Sequence, residues 1–260
     1  KKGANDGTAT NAYLNSSNGI ANGLVGYWHF DNQSSAGEND TLVYDWSGNG
    51  NNGTVVGGSD VDSGFSSDGY YYGAQMFDGV DDAISVVDVD SLDFVNETTI
   101  SAWVYVNSFS GYYPRILSKE DSTGCDSFCF LFWGERAELL VTSGSGSSID
   151  SDDVIPTGEW VHLAATFSRP DGTVYVNGVA NTAGSEDRSI AVTGYPLYIG
   201  NNNALSRDFN GTIDEVMIFN RSLSAGEISE IYVRGRALWN FTDYQNVTGN
   251  ATDSGSENAF

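Results

Sequence analysis

Acidic side chains offer the widest range of chemistry in this sequence, and cleavage of a glycosidic bond is the first reaction to consider. That reaction needs two carboxylates on either side of one bond. Asp214 and Glu215 are adjacent in a predicted strand, so we expect them to point to opposite faces and not to share a substrate. His29 and His162 lie in predicted strands, where a packed histidine is more common than a general base. With no nucleophile elbow, phosphate loop or metal-hydrolase motif, the sequence predicts that the protein is not an enzyme.

A second group of carboxylates could hold a cation or form a turn. The segment FDGVDD contains Asp78, Asp81 and Asp82, and calcium requires oxygen ligands of this kind. Asp78–Gly79 is also a common pair in tight hairpin turns. Because the formal net charge is −24, exposed carboxylates are expected without any ion. We therefore favour the turn.

Aromatic side chains outside the predicted strands are candidates for ligand contact. Tyr71, Tyr72, Tyr112 and Tyr113 stand in segments rich in Gly and Ser. Flat rings pack against the C–H faces of sugars, so these tyrosines could form a carbohydrate-binding platform. They could equally fold back into the protein, or form a protein interface, where tyrosine is also enriched. The sequence leaves these three interpretations open.

The two cysteines, Cys125 and Cys129, are four residues apart. In a straight strand their Cα atoms would be about 13 Å apart, too far for a disulfide. A turn through Asp126 and Ser127 would let them pair, and the absence of a neighbouring histidine makes zinc a poor alternative. We predict a local disulfide, which is typical of an oxidising compartment.

Charge and glycosylation signals indicate an extracellular or cell-surface protein. The net charge of −24 repels nucleic-acid phosphates and anionic lipids, so we expect neither nucleic-acid binding nor direct membrane insertion. Asn-x-Ser/Thr sequons are more frequent than the composition suggests, although Asn-rich turns also generate them. The sequons begin at Asn15, Asn32, Asn39, Asn52, Asn96, Asn210, Asn220, Asn240, Asn246 and Asn250.

Short strands are the elements that must position these residues. Thr98–Val106 alternates with apolar residues on both faces, which predicts a central strand. Pro170, Asp171 and Gly172 predict one turn, and Asn177–Gly178 predicts a two-residue hairpin turn.

The ends of the chain differ from its centre. The spacing of Ser224 and Glu227 is that of a capping box and predicts one short helix over Glu227–Tyr232. We predict a polar arm or linker at 1–22, one domain at 23–234 and a sequon-rich polar tail at 235–260.

Six segments occur in one order between Gly23 and Val233. They are GLVGYWHFD, DWSGNGNNGTV, FDGVDDAISV, TTISAWVYV, GEWVHLAATF and FNGTIDEVMIFNRSLSAGEI. In this order they resemble the concanavalin A-like laminin-G (LamG-like jelly-roll) family over about four-fifths of the chain. The resemblance implies an all-β, two-sheet antiparallel jelly-roll β-sandwich with one short C-terminal helix. It also implies that Trp28, Trp103 and Trp160, which occupy strand motifs, belong to the core.

The resemblance further implies a structural calcium ion near the first strand. Carried over residue by residue, its ligands would be Asp31, Asp45, Asn49 and Asp214. Relatives that cleave glycans carry Glu-x-Asp-x-x-Glu or Glu-x-Asp-x-Glu runs, and this sequence has none. We therefore expect a non-catalytic module for binding or adhesion, which contacts glycans or cell-surface proteins.

Two alternatives remain at this point. The chain could be a structural subunit of an extracellular filament or surface layer, self-assembled through its sandwich and its terminal arms. A glycan-cleaving enzyme is the less favoured alternative, since it requires carboxylates from separate strands to converge.

Overall fold

The computed structural model describes residues 20–57, 64–121, 124–141 and 148–234. Within these residues the chain forms two eight-stranded antiparallel sheets, the arrangement of a jelly-roll β-sandwich. The predicted polar arm, apart from its last residues, and the predicted sequon-rich tail lie outside the described residues.

Sheet A contains the longer strands. They are β1 (Leu24–Trp28), β4 (Gly64–Tyr71), β5 (Gly73–Asp78), β7 (Glu97–Ser108), β12 (Trp160–Ser168), β13 (Asp171–Val176), β14 (Val179–Ser185) and β16 (Asn210–Phe219). The strand order is β14-β13-β12-β7-β16-β5-β4, and β1 also pairs with β16. The first half of β16 pairs with β5 and the second half with β1. The central position of β7 agrees with the two-sided apolar pattern of its sequence.

Sheet B contains the shorter strands. They are β2 (Leu42–Val43), β3 (Gly53–Val56), β6 (Ala83–Val86), β8 (Arg115–Lys119), β9 (Phe128–Trp133), β10 (Arg136–Val141), β11 (Ile149–Asp150) and β15 (Leu197–Ile199). The order is β11-β10-β9-β8-β15-β6-β3-β2. Short 3₁₀ turns occur at Ser34–Ala36 and Asp90–Leu92.

The main core lies between the two sheets and follows from alternation along the strands. In β9, Phe128, Phe130 and Phe132 enter this core, so Cys129 and Leu131 lie on the outer face of sheet B. Trp28 is fully buried in the same core, as predicted. Trp103 is buried as predicted, but in a second, aromatic cluster on the outer face of sheet A, where Trp160 is only partly buried.

The helix α1, residues 225–234, covers part of the outer face of sheet A. Its Ile228 and Ile231 pack against Met217 and Phe219 of β16. The predicted capping box is present: the Ser224 hydroxyl accepts a bond from the Glu227 N–H (3.3 Å), and the Glu227 carboxylate accepts one from the Ser224 N–H (2.8 Å). The helix is longer at both ends than the predicted Glu227–Tyr232. No helix in the described part of the chain has the length and apolar character needed to cross a membrane.

The predicted β13–β14 hairpin is present, but the predicted turn that precedes β13 is displaced. Asn177 and Gly178 have φ angles of 50° and 76°, which are those of a primed two-residue turn. At the other end, the turn falls at Arg169–Pro170, and Asp171 already begins β13. The prediction that Asp171 and Gly172 belong to the turn was wrong, because both residues pair with β12.

Candidate functional site

An open cleft lies on the outer face of sheet B, beside β8, β9 and β10. It encloses about 780 Å³ of space, including the solvent at its mouth. The outward-pointing Leu131 of β9 and Leu140 of β10 form its apolar floor together with Cys125, and Cys129 packs against them. The sheet therefore supplies a rigid apolar base, on which other side chains form the rim.

Aromatic rings form one side of this cleft. Trp133, the last residue of β9, is 54% exposed although it is a large apolar side chain. Its ring centroid lies 5.9 Å from that of Tyr113, whose ring lies 4.2 Å from that of Tyr112. The guanidinium of Arg207 stacks 4.6 Å above the ring of Tyr112. A partly exposed Trp–Tyr surface of this kind suits the apolar face of a flat ligand ring.

A buried ion pair forms the polar end of the cleft. Arg115 donates two bonds to Glu120, at 2.8 and 2.9 Å, and both side chains are almost fully buried. A third bond runs from Arg115 to the carbonyl of Tyr113 (2.9 Å). This bidentate geometry neutralises both charges and holds the backbone of Tyr113 at the rim. Both carboxylate oxygens of Glu120 therefore accept a hydrogen bond from Arg115.

Glu138 is the titratable group of the cleft. It lies on β10, is 4% exposed and stands directly opposite Asp150 of β11. Burial, with a further contribution from the charge of Asp150, raises the pKa of Glu138 to about 7. A hydrogen bond with Ser148 and the charge of Arg115 act in the opposite direction. Near neutral pH this side chain can therefore either donate or accept a hydrogen bond.

The predicted disulfide is confirmed. Cys125 and Cys129 are bonded, with their Cα atoms 6.0 Å apart. Their sulfurs also lie within 4.8 Å of a Glu120 oxygen, a grouping that could in principle hold a metal. The disulfide uses both sulfurs, so we assign this group a structural role at the cleft floor.

The four predicted ligand-binding tyrosines lie in two separate places. Tyr112 and Tyr113 line or adjoin the cleft. Tyr71 is only 8% exposed and packs with Tyr72 in the aromatic cluster on the outer face of sheet A. Tyr71 and Tyr72 therefore agree with the interpretation in which these tyrosines fold back and pack against the protein. Sequence reasoning missed Trp133, although its outward position follows from the alternation of β9.

The predicted calcium ligands Asp45 and Asn49 organise their own turn. The Asp45 carboxylate accepts bonds from the N–H groups of Tyr27 (3.0 Å), Ser47 (2.9 Å) and Asn51 (2.9 Å). It also accepts the Ser47 hydroxyl (2.8 Å). Asn49 is exposed, and its amide donates to the Ser47 hydroxyl (3.0 Å). These contacts fully explain the DWSGNG segment as a turn.

The other two predicted calcium ligands, Asp31 and Asp214, are buried together on the outer face of sheet A. Asp31 accepts the N–H of Gly73 (2.9 Å) and pairs with His29 (3.2 Å). Asp214 accepts the N–H of Tyr71 (2.9 Å). Among the described residues, Asp31, Asp45 and Asp214 do not form a group whose oxygens all lie within 4.8 Å of one another. The structure does not gather the predicted set, and bound calcium stays a prediction.

The prediction that Asp214 and Glu215 point to opposite faces was wrong. A β-bulge between Asp214 and Met217 gives β16 one extra residue relative to β7. Ile213 and Val216 both enter the main core, so the two acidic residues between them lie on the outer face. Glu215 has a positive φ of 52°, which accommodates the extra residue.

This bulge concentrates negative charge around one histidine. Burial, followed by the charges of Glu215 and Asp31, raises the pKa of Asp214 well above its usual range. Burial also raises the pKa of Glu215 to about 7, and Glu215 accepts the Tyr27 hydroxyl at 2.5 Å. Burial disfavours protonated His29, but its contact with Asp31 raises the pKa of the imidazole overall. One oxygen of Glu215 is buried without a hydrogen-bond partner.

The segment FDGVDD forms the favoured turn. The Asp78 carboxylate accepts the Val80 N–H (2.7 Å), and Asp82 accepts the Asp78 N–H (2.9 Å). Oxygens of Asp78, Asp81 and Asp82 lie within 4.8 Å of one another. The hydrogen bonds of Asp78 and Asp82 to backbone N–H groups give these two carboxylates a structural role in the turn.

His162 is a packed strand residue, as predicted. Its Nε2 lies 2.9 Å from the Ser101 hydroxyl, and complete burial lowers the pKa of its imidazole to about 3.

The sequence of residues 78–229 matches the Laminin_G_3 family model, described as the concanavalin A-like lectin/glucanases superfamily. The match covers more than half of the chain. The chain belongs to this family. No curated protein sequence matches it significantly.

Solved structures share the fold of this Laminin_G_3 chain at low sequence identity. Domain 4 of a GH43 extracellular arabinanase from Geobacillus stearothermophilus, in complex with arabinotriose, is 24% identical with a TM-score of 0.63. That alignment covers 80% of this chain and 98% of the arabinanase domain. The ligand-binding domain of botulinum neurotoxin serotype D, in complex with N-acetylneuraminic acid, is 14% identical with a TM-score of 0.62.

Coverage of the larger neighbours is partial. The chain aligns over 82% of its own length with the neurotoxin domain but spans 51% of that domain. Trypanosoma rangeli sialidase is 17% identical with a TM-score of 0.58, over 83% of this chain and 33% of the sialidase. Because these neighbours include both binding domains and an enzyme, the fold does not select between binding and catalysis.

Proposed function

We propose that this Laminin_G_3 chain is a non-catalytic extracellular binding module whose cleft on sheet B binds glycans. The observation that carries the proposal is the exposed Trp133 beside Tyr113, above an apolar floor and next to buried polar groups. This combination offers ring stacking together with hydrogen-bonding partners for hydroxyls. The arabinanase domain and the neurotoxin domain, each in complex with a sugar, add support by analogy.

An extracellular location and a structural calcium ion belong to the same proposal. The disulfide and the exposed sequon asparagines Asn32, Asn39, Asn96 and Asn220 support the location. Asn52 and Asn210 are weaker sites, because their side chains bond to Asp45 and Asp78. The remaining sequons, at Asn15, Asn240, Asn246 and Asn250, lie outside the described residues.

Calcium would be held on sheet A rather than in the cleft. The residues that would hold it are Asp31 and Asp214 of the predicted set, together with Glu215; their oxygens suit a hard cation, although in this structure they do not all lie within 4.8 Å of one another. Support comes from the excess of carboxylates over cationic groups there and from the unpartnered oxygen of Glu215. The ion would stabilise the bulge and the first strand.

A glycan array and one pair of variants test the proposal. Trp133→Ala should weaken binding of retained glycans about tenfold or more, with little change in thermal stability, because the ring is more than half exposed. Phe65→Ala is the matched control, since Phe65 is also an exposed aromatic (41%) but lies on sheet A. An array that retains no glycan, or equal losses in both variants, would refute cleft binding.

Glycan cleavage is the second candidate, favoured by one observation. Glu138 and Asp150 are carboxylates on neighbouring strands that stand directly opposite each other. Glu138 lines the cleft and Asp150 does not, which argues against their acting on one bond. If the wild type forms new reducing ends from oligosaccharides that bind on the array, and Glu138→Gln does not, cleavage would be established.

The filament-subunit hypothesis relied on terminal arms that lie largely outside the described residues and stays a prediction.

A further inference from the structure

Positive charge is scarce in this protein and, in most places, already neutralised. The chain has 11 Lys and Arg residues against 35 Asp and Glu residues. Six of the basic side chains in the described part of the chain lie within 4.0 Å of a carboxylate. They are Arg115, Lys119, Arg169, Arg188, Arg221 and Arg234. In so acidic a protein, a guanidinium without a carboxylate partner stands out as a candidate for ligand binding.

Arg136 and Arg207 have no carboxylate partner within the part of the chain that the structure describes, and they differ in what they contact. Arg136 donates to the carbonyls of Ser151 and Asp152, where it holds the segment after β11 against β10. Arg207 lines the cleft and donates to the carbonyl of Tyr112 (3.0 Å). Arg136 therefore has a structural role, and Arg207 is the cationic group available in the cleft.

Arg207 is held in place from several directions. Its carbonyl accepts the N–H of Arg115 (2.9 Å), and its N–H donates to the side-chain oxygen of Asn201 (3.0 Å). Its guanidinium stacks on Tyr112 and lies 5.7 Å from the ring centroid of Tyr113. The carbonyl of Tyr112 uses one of the five N–H donors of the guanidinium. A planar group fixed in this way is preorganised for a bidentate carboxylate.

The other charged groups of the cleft leave the charge of Arg207 uncompensated. Arg115 and Glu120 neutralise each other. Among the described residues, Glu138 is the carboxylic acid that lines the cleft, and burial favours its uncharged form. At pH 6 the cleft therefore combines an aromatic surface with the guanidinium of Arg207, which has no carboxylate partner among the described residues.

We propose that the glycan bound in this cleft carries a carboxylate, as in a uronic or sialic acid, and that Arg207 binds this carboxylate. The inference rests on the proposed function, since it names the chemical class of ligand for the same cleft. A net charge of −24 disfavours densely sulfated polyanions, so we expect a ligand with no sulfate and no more than one carboxylate on each sugar residue. Trp133 and Tyr113 would stack on the sugar ring while Arg207 pairs with its acid group.

The test compares each acidic sugar with its own methyl ester. Trigalacturonic acid and 3′-sialyllactose are the two probes, each with its neutral methyl ester, measured by titration calorimetry at pH 6 in low salt. The wild type should bind at least one free acid about tenfold or more tightly than its ester, because the charge-assisted bonds are lost on esterification. The preference should decrease as salt concentration rises.

Variants separate a direct contact from a structural effect. Arg207→Gln should remove the difference between acid and ester, whereas loss of rim structure alone would weaken both equally. Arg169→Gln is the control, because it makes the same charge change at an exposed ion pair away from the cleft. Equal binding of acid and ester by the wild type, or a preference that survives in Arg207→Gln, would overturn the inference but leave glycan binding intact. Absence of binding to both probes and to every array glycan would overturn both proposals.

Discussion

Glu138 carries a folding penalty at neutral and alkaline pH that a single substitution should remove. Its carboxyl is buried at the base of the cleft and opposite Asp150. Ionisation there is unfavourable, which raises the pKa from 4.5 to about 7. We predict that Glu138→Gln stabilises the protein at pH 8, because glutamine keeps the shape and the hydrogen-bonding capacity without the charge.

The size of the effect follows from the difference between the two pKa values. The folded protein holds the proton of Glu138 more tightly than the unfolded chain does, so stability is lost as pH rises from 4.5 to 7. Each unit of difference corresponds to about 1.4 kcal/mol, which gives a penalty of up to about 3 kcal/mol at pH 8. Below pH 4.5 the side chain is protonated in both states and the penalty disappears. For a domain of this size, 3 kcal/mol corresponds to roughly 6 to 12 °C in Tm.

The assay is urea unfolding of wild type and variant at pH 4, 5, 6, 7 and 8, in the presence of a chelator. The difference in free energy of unfolding should be near zero at pH 4, increase between pH 5 and 7 and level off at pH 8. Glu159→Gln, which makes the same change at an exposed glutamate, should differ from wild type by less than about 0.5 kcal/mol throughout. A Glu138→Gln variant that is no more stable at pH 8, or equally stabilised at pH 4, would refute this account of the cleft.

Three further predictions concern stability. Replacing Cys125 and Cys129 together by serine should lower the free energy of unfolding by about 2 kcal/mol, the closure entropy of a five-residue loop, and a reductant should destabilise the wild type but not this variant. Calcium at one hundred times its Kd should stabilise the wild type by about 2.7 kcal/mol relative to chelator. It should have little effect on the stability of Asp214→Asn. A Tm of the wild type that calcium leaves unchanged would argue against a bound ion. Ser224→Ala should cost about 1 kcal/mol in denaturant unfolding by removing the cap of α1, and a loss near zero would show that Glu227 caps the helix alone.

Local patterns were sufficient for many elements of the fold. The two-sided apolar alternation of Thr98–Val106 predicted a central strand, and β7 is the longest strand and the middle one of the seven paired in sequence in sheet A. Asn177–Gly178 predicted its turn because both residues tolerate positive φ. The Cys125–Cys129 spacing predicted the disulfide, since only a turn brings these two residues together.

The errors occurred where a residue's position depends on a neighbouring strand. Strict alternation placed Asp214 and Glu215 on opposite faces, but a bulge formed against β7 puts both on one face. Asp171 and Gly172, which we predicted in a turn, belong to β13 because they pair with residues of β12. Propensity cannot anticipate either outcome, since pairing across the sheet outweighs it.

The sequence by itself determined the strand pattern, the turn chemistry and the family, since residues 78–229 match the Laminin_G_3 model. Only the tertiary structure decided which aromatic and charged residues meet on one surface. Tyr71 and Tyr113 have similar local contexts, yet the first is buried on sheet A and the second lies at the rim of the cleft beside Trp133. The physical reason is that the cleft joins outward-facing residues of the consecutive strands β8, β9 and β10 with the distant Arg207, which a non-local hydrogen bond from the Arg115 N–H to its carbonyl holds there.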